Sequence, residues 1–486
     1  MKKLLFILSL ALLGFACNQS SNLYSFYRVY FNNTYTTRTG FVLKTEANPD
    51  QIAKFNGKDL ITPFSAKVQG SFTFSYDTII QYGHVWSLSN PNPYISSSDT
   101  SHFSKFYNWT PGKQGDFVST VSGLKPGHVF YVRSYIITSH HDTGYNPIVL
   151  KDSTPELENK WYICPNFPGP ARAGAVATKY YDNQKNTDIA IFGTGYNANS
   201  TLNDIWQYNP KNKTWVQMPN YPFNLCHAVA VSVTYKDLRG YTHTKIYIGT
   251  GATDKNDYNK VNVWKEFNFS EFSWQSTNCG FYFPYKVSGA VAFTIGQYAY
   301  IGLGKLVNGQ ISNKFFKFNP ALADSIGGYP WSQIANFDSA YASYGATAFV
   351  INQNGYVLTG QLQNGKIINA LFEYIPQQDT WIRKADLIAP PVYLACAFTI
   401  NSFAYVGTGL KNPTAASAMF FRYDPYLNSW SQSTDYMIGP NYTGQNNAVA
   451  DAVALTLNSK GWVGSGFYFS NSVKQFSKLF FEYEAW

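Results

Sequence analysis

The sequence is poor in charged residues and in the residue patterns that bind metals. Charged side chains make up 13% of the 486 residues, whereas hydrophobic residues make up 45%, a composition that excludes an intrinsically disordered chain. The five cysteines form no Cys-x-x-Cys pair, so their spacing supports neither a zinc site nor a thioredoxin-like redox centre. The basic residues, which give a net charge of +9, are scattered rather than clustered. We therefore expect no metal, no cofactor and no nucleic-acid partner.

Long apolar runs are also scarce, and the one present, residues 4–13, stands at the N-terminus. Lys2 and Lys3 precede it, and Gly14-Phe15-Ala16-Cys17 follows it. This arrangement resembles the signal and lipobox of bacterial lipoproteins, although an ordinary secretory signal is the alternative. The resemblance implies a signal peptide at residues 1–17, a lipid on Cys17, a tether at residues 18–23 and attachment to the outer membrane. The protein would then face the periplasm or the cell surface.

Tyrosine and phenylalanine are abundant, with 38 and 37 copies, which favours strands over helices and predicts an all-β chain. Residues 24–152 alternate between short apolar runs and turns, and the alternation at residues 81–88 predicts a central strand with Trp86 in the core. The run at residues 129–135 follows a glycine-rich turn and contains Tyr131, a candidate tyrosine corner. The pattern resembles fibronectin type III and immunoglobulin-like domains of Bacteroidota envelope proteins, and implies a β-sandwich spacer.

From residue 160 onwards, one unit repeats six times. Each repeat has an Ala-x-Ala strand and a glycine-containing turn, and five of the six then have an aromatic alternation such as Phe372-Glu373-Tyr374; the second has Trp264 and Phe267 instead. The last glycines of the six turns lie 49 to 57 residues apart. These turns are Gly193-Thr194-Gly195, Gly249-Thr250-Gly251, Gly302-Leu303-Gly304, Leu358-Thr359-Gly360, Gly407-Thr408-Gly409 and Gly464-Ser465-Gly466. The pattern resembles kelch repeats, whose period is about 50 residues, and implies a six-bladed β-propeller at residues 160–486.

The last repeat lacks an outer strand, and a matching segment stands before the first repeat. Residues 161–168 (WYICPNFP) match residues 215–222 (WVQMPNYP), the outer strand of the first repeat. We therefore predict that strand 161–164 completes blade six and closes the ring, because closure protects the edge of that sheet.

The position before each Ala-x-Ala strand provides the candidate site. His227 and Asp451 stand where other repeats have Gly174, Gly289 and Gly345. Polar side chains on a small, apolar strand suggest a lined channel mouth, although a polar ring around trapped water is the structural alternative. The candidate binding residues are Arg172, His227, Tyr344, Tyr393 and Asp451. Of these, Arg172, His227 and Asp451 are also the candidates for catalysis.

The loops of the repeats favour a binding function. Residues 196–201, 253–260, 410–416 and 440–447 are rich in Asn, Tyr and Ser, which suit glycan stacking or a wet protein interface. We therefore interpret the chain as an envelope lipoprotein whose propeller binds a protein or a glycan. The alternative is a carbohydrate-active enzyme resembling the periplasmic kelch-type sialic acid mutarotases. A copper oxidase resembling galactose oxidase is disfavoured, because the propeller has only His227 and His243.

The remaining cysteines are assigned only in part. Cys396 lies in an apolar strand and is predicted to be a buried filler of the core. Cys164, Cys226 and Cys279 could include a disulfide, and the sequence does not choose a pair.

Overall fold

The computed structural model describes two compact units that divide between residues 158 and 159. In the first unit it describes residues 43–44, 54–55, 58–59, 65–72, 79–95, 103–107, 115–139, 141, 143–146, 149–154 and 156. In the second it describes residues 159–485 except 276–281, 324–327 and 437–447. The proposed signal peptide, Cys17, Cys279 and loop 440–447 lie outside these residues. Within them, no helix is both long and apolar enough to span a bilayer.

The N-terminal unit contains two antiparallel sheets and a small hairpin. The three-stranded sheet consists of Leu43–Lys44, Ala66–Phe72 and Gly115–Val121, in that order. The five-stranded sheet consists of Leu150–Ser153, Val129–Thr138, Ile79–Ser87 and Phe106–Tyr107, with Thr143–Tyr145 also paired to Val129–Thr138. The hairpin consists of Lys54–Phe55 and Lys58–Asp59.

Apolar side chains from both of these sheets share one core. Val68 and Val121 of the smaller sheet are buried with Trp86 of the larger one, as predicted for Trp86. The indole N–H of Trp86 donates to the Ser122 carbonyl at 2.9 Å. The buried Tyr135 hydroxyl donates to the Ser104 carbonyl at 2.6 Å, 31 positions away, which is not the local bond of a tyrosine corner.

The C-terminal unit contains six antiparallel sheets, which we call blades one to six; five have four strands, and that of blade four gains a fifth, Ser343–Tyr344. Blade one is Val176–Asp182, Thr187–Gly193, Ile205–Asn209 and Thr214–Met218; blade two is Val229–Lys236, Thr242–Gly249, Trp264–Asn268 and Ser273–Trp274. Blade three is Val291–Ile295, Tyr298–Gly302, Phe315–Phe318 and Trp331–Gln333; blade four is Thr347–Ile351, Asn354–Leu362, Ile367–Ile375 and Thr380–Arg383. Blade five is Cys396–Ile400, Phe403–Gly407, Phe420–Asp424 and Ser429–Gln432; blade six is Val453–Leu457, Lys460–Gly464, Phe480–Glu484 and Lys160–Ile163.

Short elements decorate the blades. Val287–Ser288 pairs with Lys305–Leu306, and Ser343–Tyr344 pairs with the second strand of blade four. Leu410–Asn412 with Ala415–Ala416, and Phe467–Ser470 with Val473–Phe476, form hairpins. A single helical turn, Pro320–Ala323, lies in the connection to the last strand of blade three.

The six blades close into a ring. The first strand of each blade contacts the first strand of the next, and that of blade six contacts blade one. These strands alternate buried and half-buried residues, as in Val291–Ile295, because each face packs on a neighbouring blade. The buried Cys396 lies in this inner strand of blade five, as expected of a filler. Buried apolar clusters occupy the spaces between consecutive blades.

Blade six is assembled from both ends of the unit. Lys160–Ile163 is its outermost strand, and Trp161 lies opposite Tyr483. The Trp161 ring lies 4.8 Å from the Tyr483 ring and 5.1 Å from that of Phe420 in blade five. Strands more than 300 positions apart in the sequence therefore share one sheet.

A tryptophan at the outer strand links each blade except one to the preceding blade. Five indole N–H groups donate to backbone carbonyls of the preceding blade at 2.9 to 3.3 Å: Trp161 to Thr434, Trp215 to Pro165, Trp274 to Pro219, Trp381 to Ala335 and Trp430 to Ala385. In blade three the buried Nε1 of Trp331 has no such partner among the described residues.

Candidate functional site

Six residues, each two positions before the inner strand of its blade, share a left-handed backbone conformation. They are Gly174, His227, Gly289, Gly345, Leu394 and Asp451, and their φ angles lie between 48° and 65°. This conformation costs a residue other than glycine about 1–2 kcal/mol. His227, Leu394 and Asp451 are therefore strained, and strain of this kind is concentrated at functional sites.

Backbone hydrogen bonds connect these six residues into a ring. The amide of each donates to the carbonyl of its predecessor at five steps: His227 to Gly174, Gly289 to His227, Leu394 to Gly345, Asp451 to Leu394 and Gly174 to Asp451, at 2.7 to 3.3 Å. We call these six residues the axial ring. Because its last member bonds to its first, the side chains of His227 and Asp451 are brought to one place from blades two and six.

Two glycines of the axial ring make room for neighbouring side chains. A Cβ atom on Gly174 would lie 2.9 Å from Nε2 of His227, and one on Gly289 would lie 2.3 Å from the ring of Tyr344. Both distances are shorter than any that a Cβ atom normally makes to a neighbouring atom. The glycines in blades one and three are thus required by the bulky residues in blades two and four.

His227 and Asp451 form an ion pair inside the axial ring. Nε2 of His227 lies 3.1 Å from Oδ2 of Asp451, and the two side chains are 9% and 10% exposed. Burial alone would lower the pKa of His227, but the adjacent Asp451 carboxylate raises it, and the pKa lies well above the usual value. Because a carboxylate oxygen only accepts hydrogen bonds, Nε2 of His227 donates to Asp451.

Two tyrosines flank this pair. The rings of Tyr196 and Tyr344 lie 5.2 Å and 6.3 Å from the imidazole of His227. Burial raises the pKa of both phenols, and Asp451 adds to the rise, so both remain hydroxyl donors. Nδ1 of His227 is buried and has no hydrogen-bond partner among the described residues.

The other two predicted residues have different surroundings. Tyr393 is buried, and burial together with Asp451 raises its pKa, which places it near the pair. Arg172 is 0% exposed, and its guanidinium binds both carboxylate oxygens of Asp204 at 2.7 and 2.6 Å. It also donates to the carbonyls of Thr194 and Pro170. The guanidinium of Arg172 therefore makes its hydrogen bonds within the propeller, and we do not include Arg172 in the proposed site.

A cavity of about 610 Å³ lies next to the axial ring. Its lining comes from residues 256–260, 305–311 and 361–365, together with Tyr344. Tyr344 thus contacts the cavity and also faces His227, which connects the cavity with the ion pair. The volume is typical of sites for small ligands.

The cavity combines amide groups, an aromatic ring and positive charge. Asn256, Asn308, Gln361 and Gln363 provide the amides, and Tyr258, 77% exposed, provides the ring. Lys260 is neutralised by Asp257 at 3.3 Å, whereas Lys305 makes no ion pair with any described residue. No group of three or more His, Cys, Asp or Glu side chains that could hold a metal occurs within the described parts of the chain.

Some of these residues were missed from the sequence. Tyr258 and Lys260 lie in the predicted loop 253–260, but Lys305 and Gln361 were not identified. A signal was present, because both directly follow the last glycine of a repeat turn, the position that Tyr196 holds in blade one. The structure also records Cys164, Cys226 and Cys396 as free thiols.

Comparison with known proteins agrees with this architecture. A model of the Kelch motif matches residues 195–220. The solved structure of YjhT superposes with a TM-score of 0.50 at 15% sequence identity, over 65% of this chain and 96% of that chain. No curated protein matches the sequence. At this identity the likeness shows the fold alone, and the kelch-type β-propeller predicted from the repeats is confirmed.

Proposed function

We propose that this protein is a binding β-propeller that holds a glycan in the cavity beside Tyr344. The observation that carries the proposal is the lining of that cavity, in which four amide side chains surround an open space of about 610 Å³. Amides donate and accept hydrogen bonds at once, which matches the paired donor and acceptor character of sugar hydroxyls. The exposed ring of Tyr258 supplies a surface on which a sugar ring stacks.

A protein partner fits this site less well than a glycan. Protein interfaces usually bury about 800 Å² on each partner and are centred on packed aromatic and arginine residues. Here the polar groups instead converge on a concave space, which is the usual form of a small-ligand site. The unpaired ammonium of Lys305 adds a preference for a ligand that carries negative charge.

An enzyme acting on a sugar, resembling the kelch-type mutarotases, is the second candidate. The observation that favours it is the ion pair of His227 and Asp451, held in strained backbone conformations beside the cavity. The phenol of Tyr344 can donate a hydrogen bond toward the cavity. In this case Tyr344, which lines the cavity, would donate a hydrogen bond to the sugar, and His227 and Asp451 would position its ring from behind.

A glycan panel tests both candidates. Immobilised neutral and acidic polysaccharides should retain the protein, and Tyr258→Ala and Gln361→Ala should each weaken retention about tenfold or more. Tyr426→Ala, an exposed tyrosine in a turn of blade five, is the matched control and should bind normally. Retention that survives both cavity substitutions would refute the site. Anomeric conversion of a bound sugar that is lost in His227→Ala, while binding remains, would establish the enzyme.

We further propose that Cys17 carries a lipid and that the N-terminal unit is an immunoglobulin-like spacer between membrane and propeller. The two sheets sharing a core around Trp86 support a sandwich. Cys17→Ser removes the thiol that would carry the lipid. Because stable membrane anchoring depends on acyl chains, the variant should move from the membrane to the soluble fraction. Unchanged fractionation of Cys17→Ser would contradict the anchor.

A further inference from the structure

The hairpin of blade six holds a lysine ammonium inside an aromatic cage. Nζ of Lys474 lies 3.7 Å from the ring centre of Phe467, 4.7 Å from that of Tyr196 and 5.4 Å from that of Phe476. It also donates a hydrogen bond to the Tyr196 hydroxyl at 2.8 Å. Three rings around one cation form the arrangement by which proteins recognise ammonium groups through cation–π attraction.

The walls of this cage are firmer than its occupant. Phe467 and Tyr196 are buried, and the rings of Tyr196 and Phe476 meet edge to face at 5.6 Å. Lys474, in contrast, lies on an exposed strand of the hairpin, beside Val473, which is 57% exposed. Phe467 and Tyr196 are therefore held by packing in the propeller, whereas Phe476, half-buried, and Lys474, exposed, both stand on the hairpin strand Val473–Phe476. Departure of the lysine side chain would not disturb a core.

The lysine is also a poor match for the cage. Burial lowers the pKa of Lys474, although Asp451 acts in the opposite direction. A primary ammonium is strongly hydrated, whereas a quaternary ammonium spreads its charge over methyl groups and pays less to enter an apolar cage.

We propose that Tyr196, Phe467 and Phe476 form a binding site for a quaternary ammonium group, and that Lys474 is its internal competitor. Because the lysine must leave before the ligand enters, the apparent affinity is reduced by the fraction of molecules in which the cage is closed. The cage is built from blades one and six, so the proposal does not depend on the cavity of blades two to four.

The test uses choline and tetramethylammonium as probes of the full-length protein, with binding followed by saturation-transfer NMR and calorimetry. Lys474→Ala should bind both probes about tenfold more tightly than the unaltered protein, because the competitor is gone. Lys474→Arg keeps a cation in the cage and should show no gain. Lys411→Ala, which removes an exposed lysine from the hairpin of blade five, is the matched control and should behave like the unaltered protein.

Two further measurements distinguish binding through cation–π attraction from binding through apolar contact alone. Phe476→Leu added to Lys474→Ala should abolish the gain while the melting temperature stays within a few degrees. The neutral isostere of choline, 3,3-dimethylbutan-1-ol, should bind Lys474→Ala at least tenfold more weakly than choline. Equal binding of the two molecules, or no gain on removing Lys474, would overturn the proposal. A glycan retained normally by Lys474→Ala would show that the cavity works independently.

Discussion

The repeat is kept at the rim of the propeller but not at its axis. At the rim, five of six tryptophans make the same indole hydrogen bond to the preceding blade, and only Trp331 differs. At the axis, the equivalent positions hold three glycines, a histidine, a leucine and an aspartate. The rim position is therefore occupied by the same residue type in every blade, whereas the axial position is occupied by four different residue types.

The physical reason lies in what each position must do. Every pair of blades presents the same wedge at the rim, so the same large side chain solves the packing problem each time. Near the axis the six positions face one another, and a single ion pair uses two of them. His227 and Asp451 keep a backbone conformation that glycine would adopt at no steric cost. This departure from the repeat, despite its cost, is one reason why we propose a function for the axis.

The largest effect is expected from removing the strand that completes the rim of blade six. A chain that begins at Ala171 lacks Trp161, whereas one that begins at Pro155 keeps it. Burial of one large aromatic contributes about 2–3 kcal/mol, and loss of the strand also exposes an edge of the sheet. Thermal unfolding and gel filtration should show the shorter chain melting far lower or aggregating. Equal stability of the two chains would mean that this strand does not close the ring.

A smaller effect is expected from removing one indole hydrogen bond. Trp430→Phe loses its bond to the Ala385 carbonyl, whereas Trp331→Phe loses no such bond. Both changes remove similar volume from buried sites, so the difference between them reports the hydrogen bond, about 0.5–1.5 kcal/mol. Urea unfolding of both variants measures it. If Trp331→Phe proved the more destabilising, the rim bonds would not contribute as we infer.

The smallest effect is expected at the axis and depends on pH. The folded-state pKa of His227 is raised above its unfolded value of about 6.5, so the ion pair contributes full stability below that pH. The contribution is lost as pH rises through the raised pKa. Asp451→Asn should therefore be most destabilising near about pH 6 and progressively less so in alkaline solution.

Urea unfolding across this pH range provides the measurement. Asp237→Asn is the control, because its pair with His243 is more exposed and surface pairs contribute little. A deficit in Asp451→Asn that stays constant with pH would contradict the assignment of a charged pair.

The repeated elements could be predicted from the sequence because each follows from local spacing. The glycine turns and the aromatic alternation place the strands of every blade, and the match between residues 161–168 and 215–222 indicated the outer strand of blade six. Pairing between distant side chains could not be predicted in this way. Arg172 pairs with Asp204 within blade one, and Lys474 of blade six reaches Tyr196 of blade one across 278 positions, a contact that only the closed ring creates. The candidate site was therefore predicted in position and only partly in composition.

The pairing of Lys160–Ile163 with Phe480–Glu484 also sets the order in which the propeller can be completed. Blades one to five are formed by contiguous stretches of chain, so each can fold as soon as its own strands are available. Blade six must wait for the last strand, and its closure joins segments separated by the whole propeller, the contact with the largest loss of chain entropy. Until blade six is complete, the faces of its two neighbouring blades that would pack against it stay exposed to solvent. We therefore expect the closure of blade six to be a late step of folding, which brings the outermost strand, from the start of the propeller, against the last strand.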